Sequence, residues 1–423
     1  MIWLFLGVLF LFLFAGVPVA AAMLVAASVV LASLGLFDTQ VLAENIINGS
    51  NNFALMAIPF FILTGEIMNA GGVSRRIVDF ASSLVGHIRG GLGYVTVITG
   101  IIFAGISGSA VADTAALGAI LIPMMVAKGY RTDKATALVG ATGIIGTVIP
   151  PSIPMILFGV ISGVSVTGMF MSGIVPGIIM GVGLMVLWRL ITNREHMAKI
   201  PKASRTERRQ AFVRSFWALL LPVIIIVGLR GGVFTPTEAG VVASVYAFII
   251  SLFYRELSFT KIVDVLVSTA KTTGVVLFLA AAAMVSAYAI TIAQIPQELS
   301  QTLMGITTNP TLMMLLIMAF LFLVGCVMDM TPAILIFAPV LLPVVTALGI
   351  DPIYFGVMMV INLSVGLITP PVGTVLYVAC GISKLSIVQL SKTIWPYFAF
   401  YFSLLLLFAV FPQIITVPGA FLR

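Results

Sequence analysis

The sequence predicts an all-α polytopic membrane protein made of inverted repeats, each holding a re-entrant helical hairpin and a Pro-Pro-broken helix. Three observations predict it. Of 423 residues, 61% are hydrophobic and only 8% charged, with a mean hydropathy of +1.22; a soluble domain carries roughly 25% charged residues. The apolar residues come in long runs rather than in the ten-residue alternations of a β-barrel. Backbone-shaping residues recur 220 positions apart. The first two observations exclude a water-soluble enzyme, and nothing in the sequence supports nucleic-acid binding.

The apolar runs are 3–36, 53–70, 93–127, 134–168, 170–191, 216–230, 236–254, 272–294, 311–348, 353–383 and 393–416. The first, Trp3 to Leu36, has neither a basic leader nor an A-x-A site before a polar chain, so it reads as the first membrane helix rather than a cleaved signal. The stretch 73–88 carries Arg75, Arg76, Asp79 and His87 among apolar residues and reads as an amphipathic surface helix. Basic residues flank both ends of 93–127, with Arg89 before it and Lys128 after it. Its arms, 94–106 and 115–127, have 13 residues each. That is ~20 Å at 1.5 Å per residue, short of the ~30 Å hydrocarbon core. With the small polar segment 107–114 between them, they read as a hairpin that enters and leaves on one side.

The polar linker 192–215 divides the chain. Eight basic residues lie between Arg189 and Arg214 (Arg189, Arg194, Lys199, Lys202, Arg205, Arg208, Arg209, Arg214), against Glu195 and Glu207. A cytoplasmic loop follows from the positive-inside rule, with contact to lipid headgroups as an added role. Arg75, Arg76 and Arg89, then Lys128, Arg131 and Lys134, then Arg255, Lys261 and Lys271, and finally Lys384 and Lys392 mark further cytoplasmic turns, and Arg230 is the outer exception. Glu238, after Pro236-Thr237, fits a helix start. Cys326 and Cys380 lack metal or redox spacing and read as packing residues.

At an offset of 220, Gly105 falls on Gly325, Pro123 on Pro343, Gly129 on Gly349, Gly146 on Gly366, and Pro150-Pro151 on Pro370-Pro371. Lys128, Arg131 and Lys134 fall on Leu348, Asp351 and Tyr354, so the second hairpin, 311–348 with tip 327–332, opens to the opposite side. Inverted repeats with broken helices belong to secondary transporters. Proline lacks an N–H and pushes the preceding residue out of the α region. A Pro-Pro pair therefore frees carbonyls for a cation and separates two half-helices, the second of which offers its N-terminus to an anion.

Six stretches carry a resemblance: Pro59–Gly72 (PFFILTGEIMNAGG), Ala104–Asp113 (AGISGSAVAD), Ile149–Pro154 (IPPSIP), Thr235–Gly240 (TPTEAG), Gly349–Gly356 (GIDPIYFG) and Asn362–Gly373 (NLSVGLITPPVG). Together they resemble the large membrane subunit (DctM-like permease) of the TRAP transporters, the tripartite ATP-independent periplasmic carriers, and are most similar to the diketogulonate and sugar-acid branch. The resemblance implies a bacterial inner-membrane location and two partners: a small four-helix membrane subunit and a periplasmic substrate-binding protein. It also implies sodium as the coupling ion with no other cofactor, an elevator movement, and an organic acid anion (sugar acid, keto acid or C4-dicarboxylate) as substrate.

Candidate sodium ligands are Ser107, Gly108, Ser109, Thr142 and Gly143 in the first repeat and Asp329, Thr331, Asn362, Gly366 and Thr369 in the second. Candidate substrate contacts are Ser109, Asp113, Pro150, Pro151, Ser152, Pro370, Pro371 and Thr374. Asp113 is either a site carboxylate, as an acid at membrane depth suggests, or a cap on the second arm. Glu66, in an apolar helix, reads as a scaffold or partner contact, with a transport role as the lesser reading. The expected division is 1–92 scaffold, 93–168 first transport unit, 169–271 scaffold with the basic loop, 272–310 helix and connector, 311–383 second transport unit, and 384–423 C-terminal helix. A self-sufficient dicarboxylate carrier is the alternative function. An enzyme is disfavoured, since no H-E-x-x-H, P-loop or Cys/His cluster is present and the histidines are His87 and His196, both in expected cytoplasmic segments.

Overall fold

A computed structural model of the chain describes residues 1–192 and 201–422, and every regular element among them is helical. Nine of these helices are long and apolar enough to cross a membrane. Of the basic-linker residues, Arg194, Glu195, His196 and Lys199 lie outside the described residues.

The first apolar run is two helices, not one. α1 (Ile2–Phe14) and α2 (Val19–Ser33) are separated at Gly16 (φ +81°) and Pro18, and they pack on each other. Gly16 supplies a left-handed turn and Pro18 cannot continue a helix from the turn before it. α3 (Thr39–Ser50), α4 (Ala57–Ala70) and α5 (Val73–Val85) follow. α5 is the amphipathic helix expected at 73–88. Its Arg76 anchors it: Nη1 lies 2.7 Å from Glu256 Oε1 and 3.0 Å from the Gly72 carbonyl, with the guanidinium 3.9 Å above the Tyr254 ring. Burial holds the Asp79 carboxyl above the usual carboxylate range despite Arg75, Arg214 and Arg76 around it.

Hairpin 1 is α6 (Gly91–Ser107) and α7 (Ala110–Ala127); α8 (Thr132–Gly143) and a 3-10 turn (Ile144–Thr147) lead to the first break, and α9 (Ile153–Ser162) and α10 (Val166–Thr192) follow it. The arms have 17 and 18 residues rather than 13, or about 26 Å each. Only Gly108 and Ser109 are non-helical at the tip, because Ser109 caps α7 and Asp113 and Thr114 already lie on it. An arm of that length starting in the headgroup layer ends inside the ~40–45 Å total bilayer.

α11 (Arg205–Arg230) corrects the linker. Arg205, Arg208, Arg209 and Arg214 are helical, because Ser204 and Glu207 close a capping box at the S-x-x-E pattern. The same device starts α12 (Pro236–Phe253) at Thr235 and Glu238, as the Glu238 reading expected. α13 (Phe259–Ile292) begins earlier than the apolar run at 272, and α14 (Ile295–Ile306) makes the expected connector a helix. α14 sits before hairpin 2 as α5 sits before hairpin 1. Hairpin 2 is α15 (Pro310–Val327) and α16 (Met330–Ala347); α17 (Pro352–Gly366), the second break, α18 (Thr374–Ser383), α19 (Ile387–Val410) and α20 (Gln413–Leu422) complete the chain.

The 220-residue offset holds element by element: α7 maps onto α16 at both ends, and α8 and α17 start in register. Packing is reciprocal. α7 packs on α18 and α16 on α9, and α8 packs on α19 and α17 on α10. Exchanged pairs of this kind are what a two-fold relation between halves requires. Side-chain hydrogen bonds between distant elements sort into two sets. One set joins α1–α5 and α11–α14: Ser244 Oγ to the Phe60 carbonyl, Ser268 Oγ to Glu66 and Ser286 Oγ to the Met23 carbonyl. The other joins α6–α10 and α15–α19: Trp188 Nε1 to the Gly90 carbonyl, Thr393 Oγ1 to Asp133 and Tyr401 OH to the Ala141 carbonyl. Across the divide Gly105 lies against Pro222 and Gly65 against Ser107, beside the apolar packing of α16 on α13 and α14.

At Gly366 a methyl group would lie 2.6 Å from the Gly325 carbonyl oxygen. Gly366→Ala should therefore cost about 1–3 kcal/mol by overpacking, read as a lowered melting temperature of the purified protein in detergent. An unchanged melting temperature would show that hairpin 2 can retreat from α17 without cost.

Candidate functional site

Each hairpin tip docks on the proline break of its own repeat. At tip 1 the chain turns at Gly108, whose φ of +68° is left-handed, and Ser109 Oγ caps α7 by accepting from the Ala112 N–H at 3.4 Å. The Gly108 carbonyl accepts from the Ile153 N–H at 3.3 Å. A side chain at Gly108 would run into the Pro151 carbonyl. At tip 2 the Cys326 carbonyl accepts from the Val372 N–H, also at 3.3 Å. Both Pro-Pro bonds are cis.

The two breaks differ in exposure and chemistry. Pro150, Pro151 and Ser152 are buried. The Ser152 hydroxyl is occupied: it donates to the Thr147 carbonyl and accepts from the Met155 N–H. Pro370 and Pro371 are exposed. There the Asp329 carboxylate, at the start of α16, accepts from Thr374 Oγ1 at 3.2 Å, with Thr331 half-buried one position beyond Met330. Asp329 and Thr374 thus meet beside the exposed break.

The other sequence candidates fall in two groups. Thr142 and Thr369 spend their hydroxyls on helical carbonyls, Leu138 at 2.8 Å and Val365 at 2.7 Å. Asn362 Nδ2 donates to the Met318 carbonyl at 2.7 Å and ties α17 to hairpin 2. Gly143 and Gly146 admit Thr114 and Asp113, since any side chain there would strike these two. Asp113 is 1% exposed and does not cap α7; it points into the seam between α7 and the 3-10 turn. The Ser107 hydroxyl interacts with it, although neither carboxylate oxygen has a hydrogen bond of normal geometry.

Two features are not legible in the sequence. First, Thr147 Oγ1 and Ser364 Oγ lie 2.5 Å apart and join the repeats. Each also faces its own helical carbonyl, Ile144 and Val360. A hydroxyl has one proton, so the donor across the pair gives up its helical bond. Met330 Sδ lies 3.6 Å from Ser364 Oγ, which connects this pair to tip 2. Second, a cavity of about 420 Å³ opens between tip 1 and α4, lined by Ser107, Ser109, Gly65, Glu66 and Asn69 with Thr272 of α13. Glu66 Oε1 accepts from Ser268 Oγ at 2.9 Å. The cavity lies on the divide between the two hydrogen-bonded sets, where ligand sites commonly form. Of the sequence candidates, Ser107 and Ser109 line it; Asp113 does not.

The family model for the DctM component of the tripartite ATP-independent periplasmic transporters matches residues 6–414. The chain belongs to this family. A TRAP transporter large permease protein of Haemophilus influenzae is 60% identical over 94% of this chain and 99% of that protein. The 2,3-diketo-L-gulonate TRAP transporter large permease protein YiaN of Escherichia coli is 49% identical over 98% of each. Among solved structures, the Alcanivorax borkumensis YdaH transporter is similar in fold, with a TM-score of 0.63, 17% identity, and coverage of 90% of this chain and 86% of that one. The chain is therefore a multi-pass inner-membrane permease of a binding-protein-dependent secondary transporter, and not an enzyme. Membership implies a periplasmic binding protein and a small membrane subunit.

Replacing Thr147 by Val and Ser364 by Ala, singly and together, should reveal a coupling of about 1 kcal/mol in thermal stability. Additive losses would show that the two hydroxyls do not act as a pair.

Proposed function

We propose that this permease imports an organic acid anion driven by sodium, by moving α6–α10 with α15–α19 as one body against a frame of α1–α5 and α11–α14. The observation that carries this reading is the sorting of hydrogen bonds into those two sets, with small-residue contacts and the cavity on the divide between them. A body held together by its own polar bonds, and meeting its frame through apolar packing and close glycine contacts, can slide without leaving buried polar groups unpaired. The contacts of Trp188, Gly181 and Gly177 with hairpin 1 and the first break favour moving α10 with that body, whereas the sequence placed 170–191 in the scaffold.

Sodium is a hard cation and calls for oxygen donors. Tip 2 offers them as Asp329, Thr331 and Thr374 beside an exposed break, and tip 1 as the Ser107 and Ser109 hydroxyls. Positive charge bound at the tips would offset the absence of a basic side chain among the described residues lining the cavity and so favour an acid there. The diketogulonate named for the Escherichia coli relative supports a sugar acid as the class.

The test is uptake of labelled sugar acids and dicarboxylates into proteoliposomes holding this chain with its genomically neighbouring small subunit. Uptake should need an inward sodium gradient and the neighbouring binding protein. Uptake by this chain alone would overturn the partnered reading in favour of a self-sufficient carrier. In the same assay Asp329→Asn should raise the sodium half-saturation roughly tenfold or more, through loss of a charged ligand, with normal membrane insertion. An unchanged sodium titration would remove Asp329 from the site.

A further inference from the structure

The cavity between tip 1 and α4 has a polarity that an acid alone does not explain. Among its lining residues the charged one is Glu66, which has the same sign as the proposed substrate. Glu66 Oε1 takes one bond, from Ser268 Oγ. A carboxylate has about four acceptor positions, so capacity remains for donors from a ligand. Asn69, three residues on and therefore on the same face of α4, lines the cavity beside it. Across the cavity stand Ser107 and Ser109. Ser109 Oγ accepts from the Ala112 N–H, which leaves its own proton to donate. Across from the Ser109 hydroxyl, the Glu66 carboxylate can only accept, while Asn69, whose Oδ1 takes the Ser74 hydroxyl at 3.4 Å, keeps its amide N–H groups to donate.

A ligand acid group is matched to the donating Ser109 hydroxyl and repelled by Glu66. What Glu66 can hold is a hydroxyl hydrogen. We propose that Glu66 is the specificity-determining residue of this cavity: it accepts from hydroxyl groups at the end of the substrate remote from the acid, and it excludes a second carboxylate there. This narrows the organic-acid reading above, on which it rests, to polyhydroxylated monoacids and sets it against dicarboxylates. A carboxylate acceptor discriminates well here because its hydrogen bonds are charge-assisted, whereas two like charges at close range in a partly buried site repel strongly.

Three six-carbon probes separate the terms: gluconate (acid with hydroxyls), hexanoate (acid without) and adipate (two acids). Equilibrium binding would be measured on this chain purified with its small subunit, in saturating sodium and without the binding protein, whose own selectivity is thereby removed. The wild type should bind gluconate at least roughly tenfold more tightly than either other probe. Glu66→Gln should weaken gluconate and bring adipate to within a few-fold of it. Glu66→Asp, which keeps the charge but withdraws it by one methylene, should weaken gluconate while adipate stays excluded. Wild-type binding of adipate as tight as gluconate overturns the proposal, and this holds even where Glu66→Gln fails to assemble. Unchanged probe ratios in a folded Glu66→Gln variant overturn it as well. Binding of none of the three probes overturns the organic-acid reading itself, and the selectivity of Glu66 with it.

Discussion

The backbone polar groups at the two proline breaks must be satisfied inside a bilayer, and the rest of the structure is arranged around that need. An unpaired N–H or C=O in hydrocarbon costs several kcal/mol, and a Pro-Pro pair interrupts the helical ladder twice over. In each repeat an N–H just past the prolines, Ile153 or Val372, finds a carbonyl at the hairpin tip, Gly108 or Cys326. The hairpin is thus the partner of the break, and neither element is tolerable at that depth without the other. This explains why glycine stands where they meet. Gly108 lies against the Pro151 carbonyl and Gly366 against the Gly325 carbonyl, and a side chain at either would hold the tip away from its hydrogen bond.

That constraint also explains what could be read in advance. Prolines and close-approach glycines govern backbone shape, so the 220-residue offset and the two breaks were legible from them, and the flanking basic residues with the arm lengths gave the hairpins. Lengths were not. The hydrophilic look of 107–114 suggested short arms, but Asp113 and Thr114 are helical because Ser109 already caps α7. The basic linker looked like loop throughout, although its S-x-x-E pattern at Ser204–Glu207 carries a helix start. Rotation was not legible either. Asp113 turns into the α7 seam and Glu66 into the cavity, and nothing local to α7 or α4 decides this. The Thr147–Ser364 pair depends on how two segments 217 residues apart meet; threonine and serine in apolar helices otherwise bond their own carbonyls.

The repeats share a backbone and differ in chemistry. Ser109 and Asp329 occupy the same position at the start of their second arms. Serine caps its helix and leaves tip 1 closed over a buried break; aspartate makes no cap and turns to Thr374 beside an exposed one. A neutral hydroxyl tip and a carboxylate tip cannot treat an anion alike. In the reading proposed above, cation binding is weighted toward tip 2 by its charge, while tip 1, with its donor hydroxyls, faces the cavity at the frame.

Placing the cavity on the divide has a consequence for coupling. Its walls come from different elements, which the proposed movement assigns to different bodies: Ser107 and Ser109 from the hairpin, Glu66 and Asn69 from α4. A ligand that touches both walls tightens the divide, and one that touches a single wall travels with it. If the acid is held at the tip and its hydroxyl tail at Glu66, movement of the hairpin along α4 must break the second set of bonds before the first. The frame would then act as a checkpoint that a correct substrate satisfies in one position and releases in the next, while its acid group stays with the moving tip. Differential contact with two states is the only way a ligand can bias an equilibrium between them. In the proposed reading the differential contact would be Glu66, because it stands on the frame against which the hairpin would move.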